Sequence, residues 1–114
     1  MTEADTARAL GSGDVDVLGT PRVLALAEAA TVAAAAASLS PGQTTVGTQV
    51  ELDHLAPSPI GATVRAEATL VYHSGRRLTF DVRVTQGDRA VATARITRAV
   101  VDRERFQAST DDRG

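Results

Sequence analysis

The chain contains no cysteine, no lysine and no tryptophan, and aromatic residues make up only 3% of its 114 positions. Without cysteine there is no disulfide framework, no thiol nucleophile and no thiolate metal site. Without lysine, Schiff-base catalysis and a P-loop lysine are excluded. All 12 basic residues are arginine, set against 14 acidic ones, for a formal net charge of -2. The basic surplus of a general nucleic-acid binder is therefore missing. No apolar run is long and clean enough to cross a bilayer, because Val23–Leu39 carries Glu28 and runs into Pro41-Gly42. Met1–Gly13 is polar and holds no apolar signal segment. These features point to a cytoplasmic protein of one domain, 1–114, with flexible tails at 1–13 and 107–114. The arginine-only, alanine-rich composition points to a GC-rich bacterial genome.

What is present is an aliphatic core. Hydrophobic residues make up 43% of the chain, mostly Val, Leu and Ala. Small side chains bury little area each, and a chain of this size hides its surface only moderately well, so a second copy would add stability. One segment predicts a helix over Pro21–Ser38. Thr20 stands where an N-cap belongs, Pro21 suits the first helical position, and alanine fills the interior. Leu39-Ser40-Pro41-Gly42 ends it. Past Arg22 its only charged side chain is Glu28, and a helix apolar nearly all round predicts burial.

The rest predicts strands, with a short extended piece at Asp14–Leu18 ahead of the helix. Over Thr45–His54, Val46, Thr48, Val50, Leu52 and His54 share one face by alternation. Thr63–Tyr72, Leu78–Thr85 and Arg89–Asp102 alternate in the same way. Turns at Ser74-Gly75 and Gln86-Gly87-Asp88 make antiparallel hairpins of them. The expected architecture is α+β: one long helix followed by a four-stranded antiparallel meander, a curved antiparallel sheet wrapped around the helix, which is the layout of a hotdog fold.

Three side chains stand out. A lone carboxylate on a buried helix is costly unless paired, so Glu28 is either a general base or water-positioning group, or the partner of an arginine such as Arg98. His54 falls on the face turned toward the helix, as a satisfied core residue or as a catalytic one. Thr20 caps the helix, yet its hydroxyl can accept a backbone bond and still donate elsewhere. Arg76-Arg77, beside a turn, is either a solvated turn or a phosphate contact. His73 lies next to the same turn and is expected to be exposed. Two separated histidines without cysteine do not make a metal site.

Together these residues resemble the fluoroacetyl-CoA thioesterase family of hotdog enzymes. Gly19-Thr20-Pro21 opens a helix with Glu28 eight residues after the threonine. Val46-Gly47-Thr48-Gln49-Val50-Glu51-Leu52-Asp53-His54 follows, with His54 twenty-six residues after Glu28. Ser74-Gly75-Arg76-Arg77-Leu78-Thr79-Phe80 and Arg98-Ala99-Val100 complete the match, which spans most of residues 17–106. The resemblance implies hydrolysis of a short acyl-CoA thioester with Thr20, Glu28 and His54 as the catalytic set. It places Gly47 near the thioester, with Thr48, Arg76, Arg77 and Arg98 as further substrate-binding residues. It implies a homodimer and no metal or separate cofactor, coenzyme A being part of the substrate. The aromatic residues that shield the substrate in the fluoroacetyl-selective member have no counterpart in Gly13-Asp14-Val15-Asp16-Val17. Selectivity for fluoroacetyl is therefore not expected. The alternatives on the same fold are a non-catalytic acyl-CoA-binding module and an enoyl-thioester hydratase.

One distance constrains the site. Eight residues along a helix separate Thr20 from Glu28 by about 12 Å. A direct hydrogen bond between them is excluded if both lie on one straight helix. Either the chain folds back at Thr20, or the site combines residues of two subunits.

Overall fold

The computed structural model describes residues 1–110. After a 3-10 turn at Glu3–Asp5 come α1 (Ala7–Leu10), α2 (Thr20–Ala35, extended by a 3-10 turn at Ala36–Ser38), β1 (Gln43–His54), β2 (Arg65–Ser74), β3 (Arg77–Gln86), β4 (Arg89–Asp102) and α3 (Arg103–Ser109). The four strands form one antiparallel sheet in the order β1-β4-β3-β2, not the meander expected: β2, β3 and β4 follow one another through short hairpins, but the longer connection after β1 carries β2 to the far edge and leaves β1 to pair with β4. The α2 helix lies across one face of this sheet and touches all four strands. This is the hotdog layout. Both hairpin turns open with a glycine at positive φ, Gly75 at 58° and Gly87 at 59°. That conformation strains any residue with a Cβ, which is why short turns of this kind begin with glycine.

The core lies between helix and sheet. Val23, Ala27, Thr31 and Ala35, spaced four apart, form the buried stripe of α2. They meet Leu78, Phe80, Val82 and Val84 of β3 and Ala92, Ala94 and Ile96 of β4. Phe80, fully buried, is the largest of these side chains, and burying one of its size stabilises the fold by roughly 1.5–3 kcal/mol. Alanine on the helix stripe lets α2 approach the sheet closely. The buried Thr31 hydroxyl is satisfied by donating to the Glu28 carbonyl oxygen at 2.7 Å. The helix is not buried all round, as its composition suggested. Ala25, Ala29 and Val32 face outward, because one sheet covers only one side of a cylinder.

Two β-bulges change the face assignments. The register of β1 against β4 slips between Gly47 and Gln49, leaving Thr48 as the extra residue. Thr45 and Gly47 pair with the inward Val100 and Arg98, and beyond the bulge Val50, Leu52 and His54 pair with the inward Ile96, Ala94 and Ala92. Val46 and Thr48 therefore do not share the face of Val50, Leu52 and His54, contrary to unbroken alternation. One inserted residue inverts everything on one side of it. A second slip, between Leu70 and Tyr72, pairs Tyr72 with the outward Thr79 instead of leaving it on the Leu70 face.

The N-terminal residues expected to fray are instead tied down. The Met1 amino group donates to the Ala62 carbonyl at 3.0 Å, and Ala7 N–H donates to the Val17 carbonyl at 2.8 Å. Gly19 N–H donates to the Asp5 carbonyl at 2.9 Å, and Asp5 also pairs with Arg22 at 2.9 Å. The Thr2 backbone N–H donating to Asp5, with Arg22 nearby, lowers the Asp5 pKa from its ordinary value. Asp14–Leu18 makes isolated bridges through Val17 and Leu18 rather than a strand, because Thr6 and Pro59 each meet it at a single residue. At the other end, the expected tail begins inside α3, whose N-cap Asp102 accepts from Arg105 N–H. Residues 111–114 of that tail lie outside the described residues. Among the described residues no helix is long and apolar enough to cross a membrane.

Candidate active site

Thr20 is the first residue of α2, and Gly19, not Thr20, is its N-cap. The difference matters chemically. The threonine hydroxyl is not held by the helix end and instead meets His54 Nδ1 at 2.8 Å. His54 reaches it from the last position of β1, on the inward face. Its other ring nitrogen, Nε2, is buried without a hydrogen-bond partner. If Nδ1 accepts from the threonine, Nε2 carries the proton, which is the tautomer that lets His54 act as a base toward Thr20. A shallow groove of about 340 Å³ adjoins the pair. Its walls include Val15, Val17, Leu18, Leu55 and Pro57.

Glu28 lies two turns further along α2 and belongs to a second cluster. Arg98 Nη1 donates to Glu28 Oε2 at 3.3 Å. Arg98 is itself anchored on β1, Nε donating to Thr45 Oγ1 at 2.8 Å and Nη2 to the Thr45 carbonyl at 3.1 Å. The guanidinium side chain is only 7% exposed, against 38% for the Glu28 side chain. The arginine is thus the fixed member, and it leaves the carboxylate partly open to solvent. Gly47 lies directly against that carboxylate. A Cβ at residue 47 would stand 2.8 Å from Glu28 Oε2 and 3.5 Å from Arg98 Nη1. The glycine leaves room for the carboxylate in this position, and its φ is not in the left-handed region.

The binding residues expected from the sequence also come together. Thr48, Arg76, Arg77 and Arg98 line one cleft of about 580 Å³. Tyr72 and Ser74 line it as well, and were missed, because the bulge in β2 that turns Tyr72 outward leaves no trace in the alternation. Arg76 Nη1 also donates to the Val100 carbonyl at 3.2 Å. His73 is exposed, as expected beside its turn. Among the described residues no three His, Cys, Asp or Glu side chains come close enough to hold a metal ion.

The structure therefore joins Thr20 to His54, and Glu28 to Gly47 and Arg98, but keeps the two clusters apart within one chain. A helix cradled by an antiparallel sheet defines a hotdog fold, and the hydroxyl–imidazole pair at the helix start and the arginine-held carboxylate two turns on are groups that a thioester hydrolase of that fold would use. The sequence model of the fluoroacetyl-CoA-specific thioesterase family matches residues 1–104, and the chain belongs to that family. It is similar to the fluoroacetyl-CoA thioesterase of Streptantibioticus cattleyicolor, with 36% identity over 93 residues, covering 82% of this chain and 67% of that protein. A crystal structure of the fluoroacetyl-CoA thioesterase FlK superposes with a TM-score of 0.90 at 30% identity, covering 100% of this chain and 89% of that one. A variant of FlK crystallised with fluoroacetate and CoA gives 0.86 at 31% identity, covering 93% and 90%. A thioesterase-superfamily member from Thermus thermophilus, 23% identical, shares the fold with a TM-score of 0.89 over 97% of this chain and 82% of that one.

Proposed function

We propose that this chain hydrolyses a short-chain acyl-CoA thioester to the free acid and CoA, with Thr20, Glu28 and His54 as its catalytic set. The observation that carries the proposal is the 2.8 Å contact between Thr20 Oγ1 and His54 Nδ1. A hydroxyl already bonded to a base is the minimum a thioester carbonyl needs for attack. His54 takes the threonine proton, and the hydroxyl oxygen adds to the carbonyl carbon. The positive end of α2, at Thr20, favours the oxyanion. CoA thiolate leaves, and water activated by Glu28 or His54 hydrolyses the acyl-enzyme. In this scheme Arg98 holds Glu28 against Gly47, while Thr48, Arg76 and Arg77 bind the CoA portion.

The two clusters meet if two chains pair. Strand β1 has a neighbour on one side only, so its outer edge can add a second copy. Antiparallel pairing of β1 with itself about an axis near Val50 and Glu51 sets Gly47 opposite the partner's His54. Glu28 of one subunit then faces the partner's Thr20, with no need to span the 12 Å or so along the helix. The protein is thus read as a homodimer with two shared sites, acting in the cytoplasm without metal or separate cofactor, and without nucleic-acid or membrane partners. The groove beside Thr20 is walled largely by aliphatic side chains and its lining holds no Phe, Tyr or Trp, which favours an unfluorinated short acyl group.

Complementation tests this reading. Glu28→Ala and His54→Ala should each lose hydrolysis of acetyl- to hexanoyl-CoA, measured as free thiol. After the two are unfolded together and refolded, half the dimers are mixed, and each mixed dimer holds one intact site. About a quarter of wild-type activity should return. Failure to recover activity from a folded, dimeric mixture would confine the site to one chain. Absence of turnover by the wild type would overturn the enzymatic reading.

A further inference from the structure

We propose that the cleft bounded by Tyr72, Arg76 and Arg77 is the seat of the adenosine 3′,5′-bisphosphate end of CoA, with the Tyr72 ring as the platform for adenine and the two guanidinium groups on phosphate. The proposal rests on the reading of the chain as an acyl-CoA hydrolase and adds to it the part of the substrate that each residue recognises.

The charge distribution is the first support. The chain as a whole has a net charge of -2, yet this cleft gathers three arginines. Arg98 is taken up by Glu28 and Thr45. Among the described residues neither Arg76 nor Arg77 forms a salt bridge with a carboxylate. Two uncompensated guanidinium groups beside one another are the usual recognition element for phosphate, which they bind through paired N–H donors. The second support is Tyr72. It is 56% exposed, a large aromatic face on a strand position where a small polar side chain would cost nothing. An exposed aromatic beside arginines is the arrangement that stacks a nucleobase while its phosphates are held. The hydroxyl groups of Thr48 and Ser74 border the same cleft and supply short-range polar contacts.

The third support is register. Val46 pairs with Ala99, and Ala99 pairs with Arg77, so Arg77 lies on the row next to the Gly47 row. Two strand spacings place its Cα about 10 Å from β1, on a row that faces outward where the Gly47 row faces inward. A charged anchor that far from Gly47 needs a spacer between itself and the reacting carbonyl, and the pantetheine arm of CoA is such a spacer. Arg98 connects the two regions, lining the cleft on one side and holding Glu28 on the other.

The test compares butyryl-CoA with butyryl-pantetheine, which lacks the nucleotide, in the wild type and in Tyr72→Ala and Arg77→Ala. Each variant should raise KM for butyryl-CoA about tenfold, leave its kcat within about twofold, and leave both constants for butyryl-pantetheine unchanged, as expected for loss of a remote binding contact. Equal effects on both substrates, or no effect on either, would overturn the proposal. Calorimetric titration with adenosine 3′,5′-bisphosphate provides a readout independent of turnover. The wild type should bind it and both variants should bind it at least tenfold more weakly. Undiminished binding by folded variants would also overturn the assignment. If the wild type hydrolyses neither thioester, the hydrolase reading fails, and the titration alone then decides whether the cleft takes the nucleotide.

Discussion

Gly47→Ala separates fold from function with one methyl group. The new carbon would stand 2.8 Å from Glu28 Oε2, well inside the ordinary contact distance of about 3.5 Å. Because that oxygen is the end of a flexible side chain, Glu28 moves and the backbone stays. The Glu28–Arg98 contact, already 3.3 Å long, is then lost. Losing a partly exposed ion pair costs about 0.2–1 kcal/mol. Against this, residue 47 adopts a conformation open to alanine, and removing a glycine restricts the unfolded chain enough to stabilise the fold by about 0.4–1 kcal/mol. The two nearly cancel, so Tm should stay within about 4 °C of the wild type. On the proposed mechanism activity should not survive equally well, since displacing a catalytic group by around 1 Å costs about a hundredfold. The assay is kcat/KM on a short acyl-CoA by free-thiol release, beside a thermal melt of the same preparation. Full activity would mean that the position of Glu28 against Gly47 has no catalytic role. A collapse in Tm would mean that the glycine serves the strand itself.

Arg98→Met removes three hydrogen bonds from a buried guanidinium and should destabilise the fold by about 2–3 kcal/mol, lowering Tm by about 10 °C in a thermal melt. Phe80→Ala empties the middle of the only described core cluster and should cost about 3–5 kcal/mol, read from urea denaturation midpoints at unchanged m. Asp81 accepts two hydrogen bonds from Arg95, which hold its carboxyl below the ordinary carboxylate value. A depressed folded pKa stabilises above the unfolded value of about 3.9 and loses that contribution as pH falls through the folded value. Asp81→Asn should accordingly melt below wild type at neutral pH, and the two melting curves should converge in acid.

Much of the fold is legible in the sequence because its signals are local. Gly75 and Gly87 mark two hairpins, since only a glycine enters a short turn at positive φ without strain. The helix is marked by its alanines, by Pro21 near its start and by Pro41-Gly42 beyond its end. Thr20, Glu28 and His54 stand out as chemistry-bearing residues in an aliphatic setting, and the resemblance to a thioesterase family links them. The N-terminal residues were harder to place. Thr6 and Asp5 look like tail residues by composition, yet their backbone groups meet Leu18 and Gly19, contacts that no local pattern encodes.

The succession of one long helix and four strands along the chain, and the choice of Thr20, Glu28 and His54 as candidate residues, were determined by the sequence alone, through periodicity and turn chemistry acting over a few residues, whereas the placing of β1 beside β4 instead of β2 was not. Tertiary structure decided where those side chains point. Period-two alternation continues smoothly through Val46, Thr48 and Val50, so it conceals a bulge that turns Gly47 inward. The helix end released the Thr20 hydroxyl once Gly19 took the cap, leaving it free for a histidine 34 residues away. Arg98 found Thr45 and Glu28 across separations of 53 and 70 residues. Bulges, caps and long-range ion pairs are settled by which partners packing brings within reach, and those partners are too distant along the chain for any local pattern to register them.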